Sequence, residues 1–453
     1  MRTAISLFTR DLRVHDSPVL RQAAEADRVV PLFVFDEQVL SSRFNRPNRM
    51  AFLLDCLRDL DRSLRDLGGK LVIRRGDPVA EVAELVDSQH ATEVHIARDV
   101  STRALTREQE LHHALTERDC SLHVHDAVIT AQPPGRVVPV GNDHFAVFTP
   151  FFRRWAEFPL RPVLAPPRAI RLPSGIRTSR LPARSKLCAG DVSPRLPSGG
   201  ERSARDRVRQ WFDAGIGEYS EGHDDLAGDA TSRLSPYLHF GCISPVELIE
   251  QCGPSEAERD FVRQLAWREF HHQVLAARPA CSHRDYRPRQ DRWRHDPQAL
   301  QAWRDGRTGI PIVDAGMRQL AWEGWMHNRA RLITASFLTK TLHLDWRLGA
   351  QHFLDLLVDG DIANNNMNWQ WVAGTGTDTR PNRVLNPMRQ AARYDPNGDY
   401  VRKYVPELSG LPVRALHEPH RISADELADR GYPAPIVDVD EANARFRQSR
   451  GKL

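Results

Sequence analysis

The segment Asp359-Gly-Asp-Ile-Ala-Asn-Asn-Asn-Met-Asn-Trp-Gln-Trp371 holds the most unusual chemistry in the chain. Three consecutive asparagines are poor helix formers. A polar loop with Asx turns accounts for them, but not for Trp369-Gln370-Trp371 directly after. Rings beside amides suit a planar heteroaromatic ligand, which the rings stack on and the amides bond at its edge. Nine of the ten tryptophans follow residue 200: Trp211, Trp267, Trp293, Trp303, Trp322, Trp325, Trp346, Trp369 and Trp371. Core packing is the ordinary use of indole. A line of easily oxidised indoles can also pass electrons, provided a redox cofactor lies beside it.

Thr231-Ser-Arg-Leu-Ser235 precedes Pro236. Hydroxyls and an arginine at a helix start suit a phosphate, and a plain N-cap is the alternative. Arg278, Arg284, Arg287, Arg289, Arg292 and Arg294 form a basic cluster interrupted by Asp285 and Asp291. It reads as a solvated surface or a DNA-backbone contact. His271-His272 with Cys281 and His283 looks metal-like, but adjacent residues on a helix point about 100° apart. No metal is expected. The six cysteines contain no CxxC and fit neither a disulfide framework nor a zinc ribbon. Nucleophile-elbow, Walker and GxGxxG patterns are absent.

These residues need elements to position them. At 453 residues and 41% hydrophobic composition, the chain can build two or three packed domains. Residues 1–130 alternate short apolar runs with helical patterns. The runs are Ala4–Phe8, Val29–Phe35, Leu71–Ile73, Val94–Ala97 and Leu122–Val124. That alternation predicts a parallel sheet covered by helices on both faces. A helix over about 50–67 ends at Gly68-Gly69, and Asp77-Pro78 opens the next. Residues 131–200 are rich in proline and arginine and read as a long connector with a docked short helix over Phe145–Trp155. Residues 201–453 read as mostly helical, with helices predicted at 201–212, 244–252, 255–277, 297–305, 311–322, 326–342 and 348–358. No apolar run reaches about 18 residues and no signal-peptide core is present. A soluble, cytoplasmic protein is expected, and the net charge of +4 does not by itself predict a nucleic-acid partner.

Seven motifs in order resemble the DNA photolyases and cryptochromes, and most resemble the class I cyclobutane pyrimidine dimer photolyases. They are Leu7-Phe-Thr-Arg-Asp-Leu-Arg13, Thr231-Ser-Arg-Leu-Ser-Pro236, Trp267-Arg-Glu-Phe270, Gly309-Ile-Pro-Ile-Val-Asp-Ala-Gly-Met-Arg318, Gly324-Trp-Met-His-Asn-Arg329, Asp359–Trp371 and Tyr404-Val-Pro-Glu-Leu408. The resemblance implies a Rossmann-like α/β antenna domain, the extended connector, and a mostly α-helical C-terminal domain that binds FAD. By position, Tyr219, Thr231, Ser232, Arg233, Leu234 and Ser235 would hold the FAD phosphates. Arg331 and Asp359 would pair against the isoalloxazine ring, with Gly360, Asp361 and Arg268 in the same cofactor site and Asn365 facing flavin N5. Trp369, Trp346 and Trp293 match the chain that reduces the flavin under light. Trp267 and Trp371 would stack on a flipped dimer, Asn328 would bond it, and Arg329 and Arg383 would contact its strand.

What this implies is light-driven repair of cyclobutane dimers in DNA by electron transfer from reduced FAD, by a monomer. The alternatives are a cryptochrome-like photoreceptor and a (6-4) photolyase. Two positions depart from the family pattern. Gln264 stands where a glutamate is usual, which predicts reduced repair efficiency, and Leu332 stands where methionine is usual. Arg98-Asp99-Val100-Ser101 resembles the region that binds 8-hydroxy-5-deazaflavin as antenna, with methenyltetrahydrofolate as the alternative.

Overall fold

The computed structural model describes residues 1–450. They form two compact units. One comprises Met1–Val192, Pro197–Gly217 and Ser232–Pro279; the other comprises Ser193–Leu196, Glu218–Thr231 and the chain from Ala280 onward.

The first unit is built on five parallel strands: β1 (Thr3–Phe8), β2 (Arg28–Asp36), β3 (Val72–Gly76), β4 (Glu93–Ala97) and β5 (Ser121–His125), in the order β3-β2-β1-β4-β5. The first crossover carries α1 (Pro18–Ala23). The next three carry α2 (Pro47–Asp66), α3 (Pro78–Gln89) and α4 (Thr102–Thr116). Every residue of β1 is buried, as apolar runs without alternation require. Asp77 caps α3 by accepting from the amides of Val79 and Ala80.

The turn after β1 is pinned by close backbone approach. Leu12 N donates to Phe240 O at 3.1 Å, and Arg13, 1% exposed, donates to the carbonyls of Asp16, Val128 and Gly241. A Cβ on Gly241, which has φ +66°, would stand 2.0 Å from Arg10 O. Only glycine fits there. The Leu7–Arg13 motif is therefore a folding element.

The connector is largely irregular but holds α5 (Phe148–Ala156). Facing it in the same unit is α6 (Glu256–Ala277), where Phe151 and Phe270 lie 5.5 Å apart.

The second unit has its own core, with Trp303, Trp346, Phe353 and Trp369 at its centre. Its site-bearing helices are α7 (Asn328–Ser336), α8 (Trp346–Leu356) and α9 (Ile362–Ala373). Two local expectations change. The helix expected over 326–342 is regular only to Ser336. It continues as one widened turn over Phe337–Thr341, closed by Leu342 N donating to Phe337 O at 2.8 Å. The asparagine run lies inside α9, not in a loop. Asp361 caps its start and Gly374, at φ +81°, ends it. Among the described residues, no helix is long and apolar enough to cross a membrane.

Candidate functional site

In the first unit, α6 carries Gln264, Trp267 and Arg268. Gln264 is exposed and Trp267 half-buried, one turn apart on the helix. The Trp267 ring stacks on Phe148 of α5, with centroids 3.7 Å apart and planes within 7°. One indole face is thus taken, and a base can stack only on the other. Arg268 donates to the carbonyls of Ile129 at 2.7 Å and Leu238 at 3.3 Å, so much of its donor capacity orders backbone.

Glu269 is 3% exposed and has a role the sequence did not reveal. Its carboxylate accepts from Ala131 N, from Gln132 N at 3.1 Å and from Trp155 Nε1 at 2.6 Å. Burial pushes its carboxyl above the usual range, against those hydrogen bonds. It fastens the start of the connector to α6. The signal for it was its place inside Trp267–Phe270.

The Thr231–Ser235 motif is divided between the units. Ser232 through Ser235 lie in the first, where Arg207 Nε donates to Ser232 O at 2.8 Å. Arg233 has φ +51°, and Ser235 opens a helix of only five residues. In the second unit Thr231 is half-buried and Tyr219 is buried.

The second unit gathers more of the candidate residues. Arg331 of α7 pairs with Asp359, Nη2 to Oδ2 at 2.8 Å, and its Nε donates to Met326 O. The other oxygen of Asp359 is buried and accepts no hydrogen bond. Such an acceptor needs a donor brought by something else. Gly360 is buried, and Asp361 spends one oxygen on the backbone and side-chain amides of Asn364. Asn365 donates to Ala350 O at 3.1 Å and to Asn366 Oδ1 at 2.8 Å. Both its N–H bonds are used within the protein.

Three tryptophans named from the sequence occupy different surroundings. Trp369, 2% exposed, meets Trp303 and Phe353 edge-on at 6.0 and 4.9 Å. A Cβ on Gly349 of α8 would fall 2.2 Å from its ring, so the missing side chain makes room for the indole. Trp346 is buried at the first position of α8, its Nε1 donating to Asp285 at 2.8 Å. Trp293 is half-buried and meets His343 at 5.4 Å.

A depression on the same unit is lined by Arg329, Leu332, Lys340, Trp371, Asp378 and Arg383. It brings together Trp371, picked to stack on the dimer, with Arg329 and Arg383, picked for its strand, and Leu332 with them. Asn328 is exposed at the start of α7. Two further features were not foreseen. Arg329 is held by both oxygens of Asp224, at 3.1 and 2.5 Å, and lies 4.3 Å over the Tyr394 ring, so part of its charge is answered within the protein. Lys340, 2% exposed in the widened turn, donates to Pro381 O at 3.1 Å and to Arg383 O. It anchors the loop that presents Arg383, and burial pushes its ammonium down to about 7. Within the arginine-rich stretch, Asp285 pairs with Arg347 and Asp291 with Arg450. Of the residues weighed for a metal, His271, His272 and Cys281 are buried.

Residues 4–169 match the family model for DNA photolyase, and residues 261–451 match that for the FAD binding domain of DNA photolyase. The chain is 56% identical to a deoxyribodipyrimidine photo-lyase from Streptomyces griseus, over 100% of both chains. The chain belongs to the DNA photolyase and cryptochrome family. Its fold agrees with this family's. It matches a bacterial class III photolyase from Agrobacterium tumefaciens with TM-score 0.90 and 32% identity, covering 99% of this chain and 97% of that one. A Synechocystis cryptochrome gives TM-score 0.91 at 27% identity, with 99% and 98% covered. The match to the FAD binding domain starts within α6 and spans α7, α8 and α9. The unspent oxygen of Asp359 fits FAD, whose ring imide and ribityl hydroxyls are donors of the kind it lacks.

Proposed function

We propose that this chain is a light-driven lyase that splits cyclobutane pyrimidine dimers in DNA, with FAD as its resident cofactor. The observation that carries this reading is the end-to-end likeness to the Streptomyces griseus lyase, joined to the depression lined by Arg329, Trp371 and Arg383. Bound reduced FAD supplies the electron that light drives into the dimer and that returns once the ring has opened.

The remaining work falls to side chains. Tyr219 and Thr231 through Ser235 hold the phosphates. The Arg331–Asp359 pair sets a fixed dipole beside the flavin, and the free Asp359 oxygen accepts from it. Gly360, Asp361 and Arg268 complete that cofactor site. Asn365 faces flavin N5 as a neutral amide whose N–H bonds already go to Ala350 and Asn366, so it gives up no proton. Trp369, Trp346 and Trp293 relay electrons toward the flavin when it must be reduced. Trp267 and Trp371 stack on the flipped dimer, Asn328 and Gln264 bond its carbonyl edges, and Arg329 and Arg383 grip the strand. Gln264 can donate to a thymine carbonyl but carries no acidic proton to share with a reduced dimer, so repair proceeds below the family's usual efficiency.

The antenna is 8-hydroxy-5-deazaflavin in the first unit. Supporting this are the Arg98–Ser101 segment and its position at the carboxyl end of β4, next to β1, where the strand order reverses. There Arg10 Nη1 pairs with Asp99 at 3.3 Å, and Ser101 caps α4. Along the chain, composition divides it into an antenna-binding segment 1–130, a connector 131–200 and an FAD-binding segment 201–453, a division distinct from that of the two compact units. The protein works as a cytoplasmic monomer.

A repair assay tests the proposal. Purified protein with reduced FAD is illuminated with oligonucleotides bearing either a cyclobutane thymine dimer or a (6-4) product. Restoration of the first alone is expected. Repair of neither, with normal flavin photoreduction, would move the chain to the photoreceptor reading that the Synechocystis likeness keeps in view.

A further inference from the structure

Four side chains on β4 and β5 belong to none of the sites described above. The strands pair in register with Glu93 opposite Ser121, His95 opposite His123, and Ala97 opposite His125. Alternate residues of a strand share a face, so Glu93, His95, His123 and His125 stand together on one side of the sheet. β5 is the edge strand. The His95 ring stacks on His123 at 4.7 Å with planes within 15°, and on His125 at 5.2 Å within 24°.

His95 is 1% exposed. Its Nδ1 lies 2.9 Å from His125 Nε2, while its own Nε2 is buried with no hydrogen-bond partner. That atom is 3.4 Å from Glu93 Oε2, and His123 Nε2 is 3.9 Å from the same oxygen. The other oxygen of Glu93 faces Arg2 at 3.6 Å. The three ligand atoms lie within 4.8 Å of one another. Metal–nitrogen and metal–oxygen bonds of about 2.0–2.2 Å in a tetrahedron place ligand atoms about 3.3 Å apart, close to the spacing already present. With Nδ1 donating to His125, His95 keeps a lone pair on the buried Nε2. A ligating histidine is typically held this way, by a hydrogen bond from its second nitrogen.

We propose that Glu93, His95 and His123 form a divalent transition-metal site, with His125 fixing the tautomer of His95. Two imidazoles and one carboxylate suit Zn2+ and its neighbours rather than Ca2+ or Mg2+. His123 is about half exposed, which leaves a path from solvent and a fourth position for water. The ion would tie edge strand β5 to β4. The site lies apart from the His271, His272, Cys281 and His283 set, on which no metal was expected.

The test uses untagged FAD holoprotein treated with chelator and dialysed. Zn2+ is titrated calorimetrically, and Co2+ is followed by its visible d–d bands above the flavin absorption. One Zn2+ per chain is expected, displacing Co2+ of tetrahedral spectrum and raising the Tm. His123→Ala and Glu93→Gln should each weaken binding about tenfold or more, with repair of cyclobutane dimers unchanged. His113→Ala, on the exposed face of α4 beside Glu117, should bind Zn2+ as the parent does. Absence of a one-to-one Zn2+ complex at micromolar metal would overturn the site. So would equal affinity in His123→Ala.

Discussion

Helices α6 and α9 both carry residues of the proposed repair site, yet they are held in opposite ways. α6 is 22 residues long and opens with Ser255 and Glu258 in a reciprocal capping box. Its site residues Gln264 and Trp267 project from a helix that its own caps and length favour. α9 is 12 residues long and contains Asn364, Asn365, Asn366 and Asn368, all weak helix formers. It persists because its polar side chains bond the surrounding backbone. Asn366 donates to Ser282 O at 2.5 Å, and Gln370 donates to Cys281 O at 2.8 Å and Arg284 O at 3.1 Å while accepting from Tyr286 N at 2.8 Å. A change at exposed Gln264 on α6 should therefore move function with little effect on folding, whereas changes to the bonded polar residues of α9 should move both.

The sharpest way to break this contrast is Gln370→Ala. Three backbone groups, one buried and two part-buried, lose these bonds, and at about 1–3 kcal/mol for each unsatisfied group, acting non-additively, the cost should be about 3 kcal/mol. Denaturant unfolding measures it, and a loss below about 0.5 kcal/mol, within the range of ordinary surface substitutions, would show that α9 stands without its buried bonds.

Trp369→Phe comes next. The smaller ring should cost about 1–2 kcal/mol, less than the 3–5 of full truncation. Photoreduction of the flavin should be lost, while repair by chemically reduced protein survives. Persistent photoreduction would remove Trp369 from the relay.

Asn365→Asp replaces a double donor with a carboxyl group facing Ala350 O and Asn366 Oδ1. A stability loss of about 1–3 kcal/mol is expected. The reduced flavin should also become easier to protonate, read as a pH shift in its absorption spectrum. A spectrum with unchanged pH dependence would sever Asn365 from flavin N5.

The smallest change is Gln264→Glu on α6. Being exposed, it should leave stability within about 0.5 kcal/mol, yet raise the quantum yield of cyclobutane repair. An unchanged yield would make that position incidental.

Particular residues show how far the sequence could be read. The apolar runs located four strands to within a residue at each end, because a buried parallel strand has little polar face to disguise it, whereas β3 continues three residues past its run through Arg74, Arg75 and Gly76, which are not buried. Asp77-Pro78 marked a helix start because its capping bonds are local. The asparagine run read as a polar loop but is part of a helix, since the most distant carbonyl that accepts from it lies 84 residues away. The widened turn at Phe337–Thr341 left no trace in the apolar pattern, which continues through it. Arg329 read only as a contact to the lesion strand, because its partner Asp224 is 105 residues distant.

The sequence by itself determined the α/β and helical parts, the motifs of the flavin and lesion sites, and through them the family. These are encoded in periodicity, capping residues and ordered short motifs, all of which act over a few positions. Only the tertiary structure decided which polar groups find partners. It paired Arg331 with one oxygen of Asp359 and left the other buried without a hydrogen bond, set Lys340 under the Arg383 loop, and stacked His95 on His123 and His125. The reason is physical: a buried polar group must be satisfied in space, and its partner's place along the chain is fixed by topology, not by spacing.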